Sequence, residues 1–437
     1  MTNKYSLPRG TADILPIESP LWQEIESKAR QICHLYNFKE IRTPIFEETA
    51  LFKRSLGQTS DVVNKQLLEL ASQRITADDP IELAGLALRP EGTASVVRSY
   101  IENNIDRQEM ISKFYYIGPM FRGERPQKGR LRQFHQIGAE TIGPGATQPY
   151  LDVETIALAI NLLKSFGLKD FKLKINTLGN LEDKENFSKI LREKLKSYLI
   201  DLSEYSKSRY ERNVFRILDS KEESDKEIIK KIKLDYSFLS SESQRKYDIV
   251  KSALKDIGIK FEEDICLVRG LDYYNYTVFE ITDDSLGSQN ALGAGGRYNN
   301  LVGSLGGESR IDIGGVGFSL GIERILLALQ ANSENYRPKL DVYLAPLDDK
   351  SYKEAFQVLN SLRKKGISCE MNYLQQSLKN QMRAADKSGA LGAIIFGEEE
   401  LKTRQVVLKI MRNEEIKSEP EIIQVLADLN FQCRKDK

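Results

Sequence analysis

The segment Phe114–Glu140, FYYIGPMFRGERPQKGRLRQFHQIGAE, constrains the fold more than any other part of the chain. Phe114–Arg122 is rich in aromatic and β-forming residues, Gly123–Arg132 holds the strand-breaking Gly and Pro, and Gln133–Glu140 resumes an extended pattern. A strand, a basic loop and a return strand follow. Alternate side chains of a strand share a face. Phe134, Gln136, Gly138 and Glu140 therefore point one way, and His135, Ile137 and Ala139 the other. The first face offers a ring, an amide and a carboxylate, with a gap at Gly138 that another group could fill. Arg122 joins that face if the strands pair in the natural register, and Arg125, Lys128, Arg130 and Arg132 line the loop. Such a hairpin suits a zwitterion beside a polyphosphate; a solvated basic hairpin at a sheet surface is the plainer alternative.

Composition narrows the chemistry. Among 437 residues there are two histidines, His34 and His135, and four scattered cysteines, Cys33, Cys266, Cys369 and Cys433. That scarcity disfavours a Ser-His-Asp or Cys-His system, a His-rich zinc site and a disulfide framework. A net charge of +1 argues against coating nucleic acid by bulk charge, while leaving room for a local basic patch. No apolar run approaches the roughly 20 residues of a membrane span. The N-terminus lacks the apolar core of a secretory signal, so a cytoplasmic protein with no membrane partner is expected. Arg, Glu and Mg²⁺ are the expected tools.

Along the chain, Leu21–Phe38 has helical spacing, and Glu40–Glu47 alternates like a strand around Pro44. Leu86–Thr93, LALRPEGT, reads as a strand ending in a Pro-Gly turn before a helix over Thr93–Glu102, with Glu91 and Thr93 at the junction where caps occur. Leu151–Phe166 reads as a helix and Phe171–Asn176 as a strand. Residues 181–262 crowd Lys and Glu around Leu and Ile at helical intervals, the mark of a helical insertion with solvated outer faces. Ile265–Thr282 returns to strand composition, and Leu292–Gly307 is glycine-rich without the context of a dinucleotide fingerprint. Gly314–Gln330 begins with glycines and becomes a helix with Phe318, Ile322, Ile325, Leu326 and Leu329 as its apolar stripe and Arg324 off it. Ala331–Lys339 is a polar linker. Beyond it, strand and helix alternate as in a separate α/β domain.

These segments resemble, in order, the motifs of class II aminoacyl-tRNA synthetases in the form found in histidyl-tRNA synthetases. Residues 21–47 resemble motif 1, residues 114–140 motif 2, and GFSLGIER within 314–330 motif 3. RPEGT, VRGLDYY and LGAGGRYNNLVGSLGG resemble family-specific segments, although Asn299 stands where many relatives carry Asp. The resemblance implies an α+β catalytic domain over 1–330, built on an antiparallel sheet flanked by helices. It also implies that the insertion 181–262 reaches over the tRNA acceptor stem and that 338–437 is an anticodon-binding domain. Catalysis would fall to Arg122 and Arg269. Histidine would be held by Glu91, Thr93, Arg122, Gln136, Glu140, Arg269, Tyr273 and Tyr274, with Glu140 and Tyr274 on the imidazole. ATP would meet Arg122, Glu124, Arg130, Phe134 and Arg324, with Mg²⁺ on the leaving pyrophosphate and no metal ligand assigned among the side chains. Arg125, Gln127 and Arg132 would face the acceptor end of tRNA(His). Motif 1 implies a homodimer. The alternative within the same fold is a non-catalytic, histidine-sensing paralogue, the regulatory subunit of ATP phosphoribosyltransferase.

Overall fold

The structure is a computed structural model that describes residues 5–57, 60, 62–72, 83–306, 313–330, 340–374, 376–412 and 414–436. It divides into two compact units, Met1–Glu334 and Asn335–Lys437. The expected linker 331–339 lies outside the described residues.

The strands of the first unit are β1 (Lys39–Glu40), β2 (Phe46–Glu48), β3 (Leu68–Ala71), β4 (Leu83–Leu88), β5 (Ser112–Phe121), β6 (Gln133–Gly143), β7 (Lys172–Thr177), β8 (Glu262–Glu263), β9 (Asn275–Thr282), β10 (Ala291–Arg297) and β11 (Gly314–Gly321). An eight-stranded sheet runs β1-β5-β6-β11-β10-β9-β7-β8, with β2-β4-β3 as a three-stranded companion. The large sheet is antiparallel from β5 through to β7, and parallel at its two edge pairs, β1–β5 and β7–β8.

The helices are α1 (Ser19–Leu35), α2 (Thr49–Leu56), α3 (Thr93–Glu102), α4 (Pro149–Ser165), α5 (Leu181–Lys196), α6 (Glu204–Arg212), α7 (Phe215–Leu218), α8 (Glu223–Lys231), α9 (Ser241–Asp256), α10 (Leu301–Gly306) and α11 (Ile322–Gln330). Helices α1, α4, α9 and α11 pack on one face of the sheet, where Ile137, Ala139, Phe279, Phe318 and Leu320 are buried. The other face packs against α3 and the helices of the 181–231 segment, burying Tyr116, Met120, Val278 and Tyr298. Alternation along β6 decides which residues reach which side, as the hairpin sequence requires.

Several boundaries differ from expectation. The strand expected over Glu40–Glu47 is two short strands in different sheets, because Pro44 interrupts the ladder. Arg89 holds the gap by donating from Nη1 to the carbonyls of Thr43 (2.9 Å) and Pro44 (3.3 Å), and from Nε to that of Pro119 (3.0 Å). The strand expected over Ile265–Thr282 begins only at Asn275, so Arg269, Tyr273 and Tyr274 lie on an irregular loop. Phe318 belongs to strand β11 rather than to the helical stripe. The insertion is less separate than its charge suggests: Tyr247, Val250, Ala253 and Leu254 of α9 join the main core. Its outer faces do carry exposed pairs such as Lys207–Glu204 and Lys226–Glu223, each of small energetic weight.

The gap expected at Gly138 is filled. Tyr116, its cross-strand partner on β5, lays its ring across Gly138 and Gly92, and a Cβ on either glycine would strike that ring. Gly138→Ala is expected to cost about 1–3 kcal/mol through overpacking, measured by denaturant unfolding.

The second unit holds β12 (Leu340–Pro346), β13 (Cys369–Met371), β14 (Ala390–Phe396), β15 (Gln405–Ile410) and β16 (Gln432–Asp436) in a five-stranded sheet ordered β13-β12-β14-β15-β16. Helices α12 (Asp349–Lys364), α13 (Leu378–Lys387), α14 (Glu398–Thr403) and α15 (Glu419–Asp428) connect them. The pairing is parallel except between β14 and β15.

Candidate active site

A cleft of about 550 Å³ opens on the α3 side of the large sheet. Its walls bring together Glu91, Thr93, Arg122, Glu124, Arg130, Phe134, Gln136, Arg269, Tyr273, Tyr274 and Arg324, residues that span more than half of the chain. Glu140, Arg125, Gln127 and Arg132 do not line it.

Four guanidinium groups share this space, and each is fixed differently. Arg122 Nε donates to the carbonyl of Pro90 (2.9 Å), and its guanidinium lies 5.1 Å from the centre of the Phe134 ring. Arg324 donates to the carbonyls of Gly129 (3.2 Å) and Ala291 (2.7 Å), which ties the helix after β11 to the hairpin loop. Arg130 is ion-paired with Glu124. Arg269 Nη1 pairs with Glu280 at 2.8 Å, while its Nε is buried without a partner among the described residues. Burial lowers the pKa of Arg122, Arg130 and Arg324, and mutual repulsion among the arginines lowers it further. Guanidinium remains charged through such shifts. Four guanidinium groups converging on one cleft, with Arg122 and Arg324 held through main-chain carbonyls, suit a polyanion that can take over the places of the paired carboxylates.

Beside the arginines sits a pocket of hydroxyls and carboxylates. Glu91 caps α3, accepting from the backbone N–H of Thr93 (2.7 Å) and Ala94 (2.9 Å), and also reaches the cleft wall. Both of its roles, cap and cleft residue, are present at once. Gln136 Nε2 donates to Ser319 (3.1 Å), leaving Gln136 Oε1 buried without a partner among the described residues. Glu140 is fully buried and accepts from Thr93 Oγ1 (2.7 Å), Tyr298 (2.6 Å) and Tyr116 (3.3 Å). Gly317 makes room for its carboxylate, since a Cβ there would collide with it. Burial, with a smaller push from Glu91, raises the Glu140 pKa to about 8. Burial also raises Tyr274 to about 12, and Tyr273 well above the usual tyrosine value.

Sequence reasoning missed Tyr116, Tyr298, Ser319 and Glu280. Tyr116 reaches the site only through the register of β5 against β6, which sets it opposite Gly138, and the others through the packing of β9, β10 and β11 and the turn that follows β10. The loop residues behave less uniformly than their charge implied. Residues 127–130 form a tight turn through Gln127 and Arg130. Gln127 on this turn and Arg125 just before it are exposed. Arg132 instead pins the N-terminal lead-in, donating to the carbonyls of Glu124 and Arg9 (both 3.3 Å).

An antiparallel sheet with a polyanion cleft built from a β-hairpin and a strand-to-helix arginine is the catalytic body of a class II aminoacyl-tRNA synthetase. Comparison with known proteins agrees. The family model "Histidyl-tRNA synthetase" matches residues 10–325, and "Anticodon binding domain" matches residues 341–426. A histidine–tRNA ligase of Ligilactobacillus salivarius is 43% identical over 417 residues, covering 94% of each chain. One from Streptococcus pneumoniae is 44% identical over 413 residues, covering 93% of this chain and 92% of its own. The crystal structure of apo Staphylococcus aureus histidyl-tRNA synthetase aligns with a TM-score of 0.73 at 36% identity, over 95% of this chain and 99% of that one. The chain belongs to the histidyl-tRNA synthetase family.

Proposed function

We propose that this cleft joins L-histidine to ATP as histidyl-adenylate and then passes histidine to the 3′ end of tRNA(His). The observation that carries the residue assignment is the pair of orphaned polar atoms, Gln136 Oε1 and Arg269 Nε, in the wall of one arginine-rich cleft. A buried acceptor and a buried donor without partners are costly unless a ligand meets them. An α-ammonium and a carboxylate or phosphate are the matching groups.

In the first step a histidine carboxylate oxygen attacks the α-phosphorus, and the bond to the β-phosphate breaks to release pyrophosphate. Two anions must meet, so fixed positive charge is the main requirement. Arg122 and Arg269 grip carboxylate and α-phosphate from two sides, because a guanidinium is planar and permanently charged. Arg130 and Arg324 hold the outer phosphates, and Phe134 offers its ring to adenine. Glu124, the cleft carboxylate beside Arg130, would help to hold Mg²⁺, whose charge would offset that of the leaving pyrophosphate. No side chain acts as a nucleophile; positioning and electrostatics do the work.

Glu91, Thr93 and Gln136 take the α-ammonium. The imidazole is read by Tyr274 and Glu140, with Tyr273 beside them. Glu140 lies out of the cleft wall, so the imidazole N–H replaces the longest of its three bonds, that from Tyr116. Such a site rejects amino acids that cannot pair its polar groups. The exposed Arg125 and Gln127 face the acceptor end of the tRNA. Arg132 supports that loop from behind. The match over residues 341–426 to an anticodon-binding domain favours this reading over a regulatory paralogue.

The test is ATP–pyrophosphate exchange with each amino acid in turn. Histidine alone should support it; exchange with another amino acid, or with none, overturns the reading. A homodimer is part of the same proposal, and exposed apolar residues on the motif 1 side, Leu35, Ile45 and Phe46, support it. Light scattering should give about twice the chain mass of 49.8 kDa. A cytoplasmic setting fits, and no helix among the described residues is long and apolar enough to cross a membrane.

A further inference from the structure

The loop that carries Arg269, Tyr273 and Tyr274 has no strand or helix of its own to hold it, since regular pairing resumes only at Asn275. What holds it comes from the helical segment. Lys184 on α5 donates its ammonium to the carbonyls of Asp272 (2.9 Å) and Tyr274 (3.0 Å). Asn213, just after α6, donates from Nδ2 to Asp272 Oδ1 (3.1 Å). Arg216 on α7 donates from Nη2 to the carbonyl of Gly270 (3.0 Å). On the far side the loop abuts the end of α2, where a Cβ on Gly57 would run into Asp272. The same segment contributes Leu218, Asp219 and Lys221 to the cleft wall.

We infer that α5–α7 position the 269–274 loop for catalysis, with Lys184, Asn213 and Arg216 as positioning residues that act through Arg269 and Tyr274. Three donors from three places on the segment meet the loop within five residues, at Gly270, Asp272 and Tyr274. A buried ammonium satisfied by two carbonyls is a specific arrangement, because leaving either carbonyl unpaired is costly. Arg269 pairs with Glu280 through one nitrogen only, which fixes the tip of its side chain and leaves its backbone position to the segment. The segment is then joined by direct bonds to the loop that carries Arg269. The inference rests on the roles given above to Arg269 and Tyr274.

Two variants test it. Lys184→Met removes the ammonium while keeping the length of the side chain, and Asn213→Ala removes the lighter contact without opening a core. In each, deuterium uptake over residues 265–274 should rise about fivefold or more, with uptake over β5 and β6 unchanged. The KM for histidine should rise about tenfold in Lys184→Met and about threefold in Asn213→Ala, with the KM for ATP within about twofold of the parent value. Lys184→Arg should restore part of the loss. A general loss of structure would raise uptake in the strands and both KM values together, and that outcome overturns the inference, as does unchanged uptake in the loop. Failure of the unaltered enzyme to exchange pyrophosphate with histidine would strike the reading of the cleft and leave the deuterium result standing.

Discussion

Arg269→Ala should slow histidine-dependent ATP–pyrophosphate exchange by roughly 10²–10³-fold while weakening histidine binding only modestly. The charge it supplies matters most when the carboxylate and the α-phosphate are closest, which is at the transition state. Before that point histidine retains Glu91, Gln136 and the hydroxyl pocket. Glu280 makes the outcome diagnostic: without Arg269 its carboxylate faces the cleft with its 2.8 Å partner gone, adding negative charge where two anions must meet. Arg269→Lys should recover only part of the rate, since an ammonium cannot fork between two oxygens. Exchange at near-parent rate in Arg269→Ala would remove Arg269 from the mechanism.

Glu140→Gln separates recognition of histidine from folding. It should raise the KM for histidine by about 10²-fold and leave ATP binding within about threefold, because the amide places an NH2 group against the hydroxyls of Thr93, Tyr116 and Tyr298 and reorients the hydrogen bonds around the imidazole. The pH dependence supplies a second test. A folded-state pKa near 8, above the ordinary carboxylate value, means that the folded protein holds a proton which the unfolded chain releases between the two values. Stability from this group is therefore fully present below the unfolded value near 4.5 and is lost as pH rises through about 8. Glu140→Gln, which removes the titrating group, should flatten that slope, so its thermal midpoint should fall less than the parent's between pH 6 and 9. Equal loss of histidine and ATP binding would show that Glu140 serves only to hold the pocket together.

How much of this was legible in the sequence depended on the range of the forces involved. The hairpin was readable because strand alternation is local: Phe134, Gln136, Gly138 and Glu140 do share one face. The meaning of Gly138 was not, since its gap is occupied by Tyr116, and seeing that needs the register of β5 against β6. The loop carrying Arg269 and Tyr274 looked extended because its composition is β-like. Side chains from another segment override that propensity, and no local pattern announces them. Arg132 looked like its neighbours in the basic loop, yet a backbone carbonyl at Arg9 claims it. Resemblance supplied the list of site residues; long-range pairing decided which of them reach the cleft.

The manner in which the arginines are tethered has its own consequence. Arg122 and Arg324 lean on main-chain carbonyls, whereas Arg130 and Arg269 lean on Glu124 and Glu280. A nucleotide thus encounters Arg324, held on main-chain carbonyls, and three cations beside a carboxylate: Arg130 and Arg269 must trade a paired carboxylate for a phosphate, and Arg122 stands 4.0 Å from Glu124. Loose anions will be turned away wherever the trade is unfavourable, and only a ligand long enough to span both kinds of cation gains from completing it.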